Sequence, residues 1–160
     1  MAYISEKQLV NELAYDWSNK KKQVVKELTI PIVHQIYYDN YLEGRETVRI
    51  DLAAYDQDSD QIIFVEAENG LYLQHPQIYI PFCNLLYILC PEDKSSFRAD
   101  QIDWSREQGI GVIERKDSGE LYESVNPIER RISPNVQAFV KSRLFRKFEK
   151  ERKKNAKSNN

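Results

Sequence analysis

Three acidic residues are spaced so that strand pairing would bring their side chains together. Asp51 lies in one run of β-forming residues, and Glu66 and Glu68 lie in the next. The turn formers at 56–61 between these runs predict a hairpin in which Asp51 lies opposite Glu66. Directly opposed Cβ atoms in such a pair are about 4.5–5.5 Å apart. Because side chains alternate along a strand, Asp51 is expected to share a face with Ala53, and Glu66 with Glu68.

Carboxylates held this close repel each other, so the predicted hairpin needs something to offset the repulsion. A divalent cation with oxygen ligands would do so, and Mg²⁺ favours one or two carboxylates together with water and phosphate. A raised pKa on one carboxyl group is the other route. Alternatively, this is a solvated sheet face on which Glu68 pairs with Arg49, a contact that contributes about 0–1 kcal/mol. The apolar neighbours Ala53, Ile62 and Phe64 favour the metal site over a fully solvated face.

The elements around the hairpin predict an α/β fold, with a mixed central sheet flanked by helices. The predicted helices begin after Ser5, at Ser96 and after Ser133, and the further strands are Val24–Val33, Leu85–Cys90, Ile110–Ile113 and an edge strand at Gly119–Val125. A short or kinked helix, interrupted by Pro76 and Pro81, is expected between the hairpin and the buried run Leu85–Cys90. That run and Ile110–Ile113 are expected to be parallel neighbours, joined by the helix between them.

Length and composition indicate one domain. The chain has 160 residues, of which 41% are hydrophobic and 30% charged, too apolar for a disordered protein. We expect a single domain over residues 1–150, with a basic C-terminal helix from about residue 134. The stretch 151–160 is polar and basic, and is expected to be a disordered tail.

The sequence argues against several classes of protein. No apolar run approaches the roughly 20 residues of a membrane helix, and the N-terminus has no secretory pattern, so we expect a cytoplasmic protein. Cys83 and Cys90 lie among apolar residues and are expected to be reduced core residues. The only two histidines, His34 and His75, make a zinc site a poor hypothesis.

Charge is distributed unevenly along the chain. The segment Arg130–Asn160 holds 11 Lys/Arg and 2 Glu, whereas the rest holds 12 Lys/Arg and 23 Asp/Glu. An acidic body would repel nucleic acid at long range, and a cationic helix would compensate. The candidate phosphate-binding residues are Lys141, Arg143, Arg146, Lys147 and Lys150. The alternative is an ordinary solvated helix face.

The acidic residues also match a known motif. Asp51, followed after a gap by Glu66-Ala67-Glu68, resembles the core motif of the PD-(D/E)xK nuclease superfamily, and the resemblance spans roughly residues 5–115. It implies a restriction-endonuclease-like fold and DNA hydrolysis with Mg²⁺ or Mn²⁺. Asp51 and Glu66 would hold the metal, and Glu68, at the position that usually carries Lys, would be a ligand or general base. Glu12 matches a further acidic ligand on the first helix.

The resemblance therefore predicts a metal-dependent DNA endonuclease, with a homodimer as a plausible assembly for cutting a duplex. A second hypothesis is a nuclease fold without catalysis, acting as a nucleic-acid-binding or protein-interaction subunit. Replacement of the motif Lys and the two prolines after Glu68 favour the second hypothesis. A small α/β scaffold protein that binds neither metal nor nucleic acid is a weaker third.

Overall fold

The computed structural model describes residues 3–31, 47–69, 75–92 and 98–158, which fold into helices on a single sheet. In chain order the elements are α1 (Glu6–Ser18), β1 (Lys22–Pro31), β2 (Thr47–Asp56), β3 (Gln61–Ala67), a 3₁₀ helix (His75–Phe82), β4 (Leu85–Pro91), α2 (Arg98–Gln108), β5 (Gly111–Arg115), β6 (Leu121–Val125) and α3 (Pro134–Ser158). This order follows the predicted one, and the 3₁₀ helix lies where the proline-interrupted helix was expected. The end of the first predicted strand and the start of the predicted helix at Ser96 lie outside the described residues.

The six strands form one mixed sheet, in which spatial order follows chain order from β1 to β6. β2 pairs antiparallel with both β1 and β3, and β5 pairs antiparallel with β6. β4 is parallel to both its neighbours, β3 and β5, and α2 connects β4 to β5. The predicted mixed α/β sheet is therefore confirmed, including the hairpin and the parallel strand–helix–strand unit.

Helix α3 covers one face of the sheet through a regular apolar stripe. Val136, Val140 and Leu144 recur four residues apart and are all buried, as the sequence pattern predicted. They join a core that includes Phe64 of β3 and Leu86 of β4. Burial of this stripe against the sheet is what holds the long helix in place.

Helix α1 covers the opposite face and begins at the predicted cap. The Oγ of Ser5 accepts a hydrogen bond from the N–H of Gln8 at 3.1 Å. Leu9, Leu13 and Trp17 are buried in a second core cluster on this face of the sheet. The start of α1 is thereby fixed, and with it the position of the first-turn side chains.

The alternation of side chains between the two faces of the sheet is interrupted at Glu27 of β1 and Asp51 of β2, which form no pair in the ladder. Ile50 and Ala53, three residues apart, both join the core under α3, whereas Leu52 lies in the core under α1. Glu27, on the neighbouring stretch of β1, has a φ of 54°, a backbone conformation that few residues other than glycine adopt. The prediction that Asp51 shares a face with Ala53 is therefore wrong. This irregularity turns Asp51 toward α1, where it lines a cavity with residues of that helix.

Helix α3 is longer than the sequence suggested. It continues through Ser158 and so covers most of the stretch 151–160 for which a disordered tail was expected. An ion pair between Arg152 and Glu149, 2.9 Å long, joins two positions three residues apart on its surface. Such pairs stabilise exposed helices by about 0.2–0.5 kcal/mol each, which favours helix over coil in this charged segment.

The remaining sequence-based expectations concern cysteines and membranes. Cys83 and Cys90 are both buried and free, as expected of core residues. Among the described residues, no helix combines the length and the apolar character that crossing a membrane requires.

Candidate functional site

The β2–β3 hairpin has the register that the turn residues predicted. Tyr55 lies opposite Ile62, and Ala53 lies opposite Phe64. The ladder ends one pair before Asp51, so the two strands separate where the motif begins. β3 does not end there, because it goes on pairing with β4 through Ala67. The site therefore lies where β3 stops pairing with β2 and continues to pair with β4 alone.

Where the two strands separate, the side chain of Asp51 takes the place of a backbone acceptor from β2. Oδ2 of Asp51 accepts a hydrogen bond from the N–H of Ala67 at 2.9 Å. The main-chain donor of β3 is thereby satisfied without a ladder carbonyl. This contact fixes the Asp51 carboxylate next to both glutamates of the motif.

Glu66 is the most deeply buried of the three acids. Its side chain is buried, with 9% of the residue exposed, and its Oε2 has no hydrogen-bond partner. Burial, followed by the charge of Asp51, raises the pKa of Glu66 to about 8, although hydrogen bonding with Tyr79 lowers it in part. Glu66 is therefore mostly protonated at neutral pH unless a cation lies against it.

The other two acids have raised pKa values for the same reason. Burial raises the pKa of Glu68 to about 7, with further contributions from the charges of Glu6 and Asp51. Burial also raises the pKa of Asp51, against the bond from Ala67. No ion pair joins Glu68 to Arg49, so the salt bridge of the solvated-face alternative does not form. The three acids thus form one electrostatically coupled group.

A cavity of about 440 Å³ opens beside Asp51, between α1 and strands β1 and β2. Its charged lining is drawn from these three elements, and consists of Glu6, Lys7, Lys26, Glu27, Arg49 and Asp51. The irregular backbone at Glu27 and Asp51 is what turns both carboxylates toward this space. Solvent, ions and a ligand can therefore reach Asp51 from the α1 side.

The acids fit a cation that takes few protein ligands. Within residues 3–31, 47–69, 75–92 and 98–158, no group of three or more His, Cys, Asp or Glu is arranged to hold a metal ion. Mg²⁺ is usually bound by only one or two carboxylates, with water and phosphate oxygens completing its shell. Asp51 lies near enough to Glu66 for its charge to raise the pKa of Glu66, and the unpartnered Oε2 of Glu66 offers a free acceptor. This pair fits Mg²⁺ or Mn²⁺, with Glu68 next to it.

Glu12, the fourth predicted ligand, is engaged elsewhere. Its carboxylate accepts two hydrogen bonds from Arg115 of β5, of 2.5 and 3.2 Å, and the guanidinium lowers the pKa of Glu12. Glu6, in the first turn of the same helix, is the α1 carboxylate that acts on Glu68. The carboxylate of Glu12 is therefore bound to Arg115, and Glu6, which was not predicted, is the α1 acid near Glu68 and the cavity.

Three of the five predicted phosphate-binding side chains on α3 bind their own chain. Lys141 forms an ion pair with Asp60 at 2.8 Å, and Arg143 donates to the carbonyl of Thr29 at 3.3 Å. Lys147 donates to main-chain carbonyls of β1. Arg143 and Lys147 thus attach α3 to the edge strand β1, and Lys141 attaches it to the turn between β2 and β3. The three cations therefore have a structural role in addition to any contact with a ligand.

The other two predicted cations remain available. Arg146 and Lys150 are exposed, and together with Lys154 they line a groove of about 370 Å³ between α3 and β1. Glu27 lines both this groove and the cavity beside Asp51. A cationic surface therefore adjoins the acidic site across the edge of the sheet.

Two residues of the site were missed by sequence reasoning. Glu6 was given no role in the sequence analysis, although its place in the first turn of α1, ahead of the apolar stripe, was a usable signal. Glu27 gave no signal, because an ordinary strand pattern does not reveal a positive φ at a glutamate.

Comparison with known proteins bears on the fold alone. No family model matches the chain, and no curated protein matches it. Among solved structures, it is similar to a protein of unknown function from Silicibacter pomeroyi, with a TM-score of 0.61 and 15% sequence identity. The match covers 98% of this chain and 92% of that one. The two chains therefore share a fold over almost their whole length.

Proposed function

We propose that this protein is a metal-dependent nuclease of the PD-(D/E)xK type, which hydrolyses phosphodiester bonds in DNA. The observation that carries the proposal is the position of Asp51 where β2 and β3 separate: it accepts the N–H of Ala67, next to Glu66, whose Oε2 is buried and unpartnered. Neighbouring buried acids with raised pKa values are typical of functional sites, which supports the proposal.

The order of elements supports the same proposal. A helix precedes three antiparallel strands, the motif acids lie on the second and third of these, and a parallel strand–helix–strand unit follows. This is the sequence of elements around the motif that the resemblance implies. A restriction-endonuclease-like architecture is therefore part of the proposal.

In the proposed mechanism Asp51 and Glu66 hold Mg²⁺ or Mn²⁺. The bound cation would supply a water of lowered pKa and stabilise the charge that develops on the phosphate. Asp51 is positioned for this role by Ala67, because the bond from the N–H fixes one carboxylate oxygen and leaves the other available. Glu68 contributes a further carboxylate next to the pair, as ligand or general base.

Nucleic acid would be held by the cations of α3. Arg146 and Lys150 lie in the groove that adjoins the acidic cavity, and cations of this kind bind phosphate in a salt-dependent manner. The acidic remainder of the chain makes such a surface necessary for approach to DNA.

The test is Asp51→Asn, since Asn keeps an oxygen that can accept the Ala67 N–H while it removes the charge. We expect the variant to fold and to lose both Mn²⁺ binding, measured by calorimetry, and cleavage of plasmid DNA. Glu129→Gln, at an exposed position, is the matched control and is expected to retain both. Cleavage by Asp51→Asn at the wild-type rate would contradict the proposal.

A second candidate is a nuclease fold that binds nucleic acid without cutting it. Glu68 at the usual Lys position is the observation that favours this candidate. Wild-type protein that binds DNA but shows no calorimetric response to Mn²⁺ or Mg²⁺ would select it over the nuclease.

A further inference from the structure

The cavity beside Asp51 contains cations as well as acids. Lys7 of α1, Lys26 of β1 and Arg49 of β2 line it, and each comes from a different element. Their convergence therefore does not follow from one amphipathic stripe. It depends on the packing of α1 against strands β1 and β2.

Arg49 is the cation of this cavity whose charge acts on Asp51. It lies two residues before Asp51, and its positive charge lowers the pKa of Asp51 against the larger effect of burial. Its side chain is exposed, and it forms no ion pair with any described residue. A guanidinium next to a carboxylate, yet not paired with it, is free to bind a second anion.

Lys26 is held in place over the same cavity. Its Nζ donates to Oδ1 of Asn11 at 2.6 Å, which leaves two further N–H donors on the ammonium group. Lys7 is exposed on the first turn of α1 and makes no ion pair within the described residues. The cavity thus offers an ordered lysine, a second lysine and an unpaired arginine around one space.

We infer that Arg49 and Lys26 bind the phosphate of a nucleic-acid strand in this cavity, next to the metal-binding acids. The inference rests on the proposed function and deepens it. It assigns to Arg49 and Lys26 the positive charge that Glu68 cannot supply at the third motif position. The volume of about 440 Å³ is within the range of ligand sites and admits a phosphate with its adjoining sugar.

The acids of the cavity set the conditions for binding. Glu6, Glu27 and Asp51 balance the three cations, so the lining alone has no excess of positive charge. A divalent cation on Asp51 would leave the cavity net positive. Phosphate binding is therefore expected to be tighter in the presence of Mn²⁺.

The experiment uses Arg49→Gln, with Arg106→Gln on the exposed surface of α2 as the matched control. Arg49 contacts Tyr79 through its main-chain carbonyl, so the substitution leaves that bond intact. The probe is a short fluorescent single-stranded phosphorothioate oligonucleotide that resists cleavage, followed by anisotropy with and without Mn²⁺. We expect Arg49→Gln to weaken binding about tenfold or more, and to reduce the slope of log K against log salt by about 0.7.

The same variant should not weaken metal binding. Removing a positive charge near Asp51 is expected to leave Mn²⁺ affinity unchanged or raise it, as measured by calorimetry without the oligonucleotide. Lys26→Gln should weaken oligonucleotide binding in the same way, and Arg49→Lys should restore part of the loss. Arg106→Gln should bind both probes as the wild type does.

Failure of this inference is distinguishable from failure of the proposed function. If wild-type protein binds Mn²⁺ but Arg49→Gln binds the oligonucleotide unchanged, the phosphate site is refuted and the metal site stands. If wild-type protein binds no metal, the nuclease proposal fails, and Arg49-dependent binding in EDTA still tests the phosphate site. Binding of inorganic phosphate alone, without Arg49-dependent binding of the oligonucleotide, would overturn the assignment to nucleic acid.

Discussion

Replacing Glu66 with Gln should make the protein more stable, by an amount that depends on pH. Burial and the charge of Asp51 raise the pKa of Glu66 from 4.5 to about 8. The folded state therefore binds a proton that the unfolded state releases between these values, and stability is lost as pH rises through that window. Above pH 8 the loss amounts to at most about 5 kcal/mol, and at pH 7 to about 3 kcal/mol.

Gln resembles the protonated acid in size and cannot ionise, so Glu66→Gln removes this loss. Urea denaturation at a series of pH values should show near equality of the two proteins at pH 4.5. The variant should then gain about 1.4 kcal/mol per pH unit up to pH 8. In a domain of this size, a gain of about 3 kcal/mol raises Tm by roughly 6–12 °C. Glu129→Gln, an exposed change of the same chemistry, should show no such trend.

Metal provides the second half of this test. Mn²⁺ at a hundred times its dissociation constant should stabilise the wild type by about 2.7 kcal/mol, and it should leave Glu66→Gln unchanged. A variant that is less stable than the wild type at pH 8, or that responds equally to Mn²⁺, would refute the reasoning. The first result would mean that Glu66 is not held in a desolvated site, and the second that it binds no metal.

Two further predictions concern residues of β5, away from the candidate site. Gly111→Ala should reduce the free energy of unfolding by about 1–3 kcal/mol in urea, because a Cβ there would lie 2.6 Å from the Tyr87 ring and 2.9 Å from Pro127; an unchanged stability would show that the ring moves freely. Glu114→Gln should cost about 2–3 kcal/mol at pH 7, since Glu114 is fully buried and receives two hydrogen bonds from Arg98. The lowered pKa of Glu114 means that this contribution is present above its usual pKa and lost as pH falls, so the variant and the wild type should converge in acid.

The sequence was sufficient for the parts of the fold that local chemistry determines. The polar run at 56–61 specifies a tight connection, and the observed pairing of Tyr55 with Ile62 follows from it. Likewise, Ser5 can cap a helix wherever the chain goes next, so the start of α1 was readable. The apolar stripe of α3 predicted a buried face, because its spacing matches a helix whatever that face packs against.

The site itself depends on features that local patterns do not encode. Strict alternation assigned Asp51 to the face of Ala53, but the break in β1 and β2 turns it toward α1. Nothing in the residue types marks this break, since Glu27 adopts a positive φ without being glycine. The position of Glu6 depends in turn on how α1 packs on the sheet. The proximity of Asp51 to Glu66 and Glu68 was predictable from the hairpin, whereas Glu6 and the cavity that exposes Asp51 were not.

Three unfavourable local features coincide at the motif acids. The β2–β3 ladder stops early, a side chain substitutes for a backbone acceptor, and Glu66 keeps a buried oxygen without a partner. Burying two neighbouring carboxyl groups and leaving one oxygen without a partner lowers stability. Sequences tend to retain such a concentration of unfavourable features where they bind or react, and a cation on Asp51 and Glu66 would relieve both the repulsion and the unpartnered oxygen in a single step.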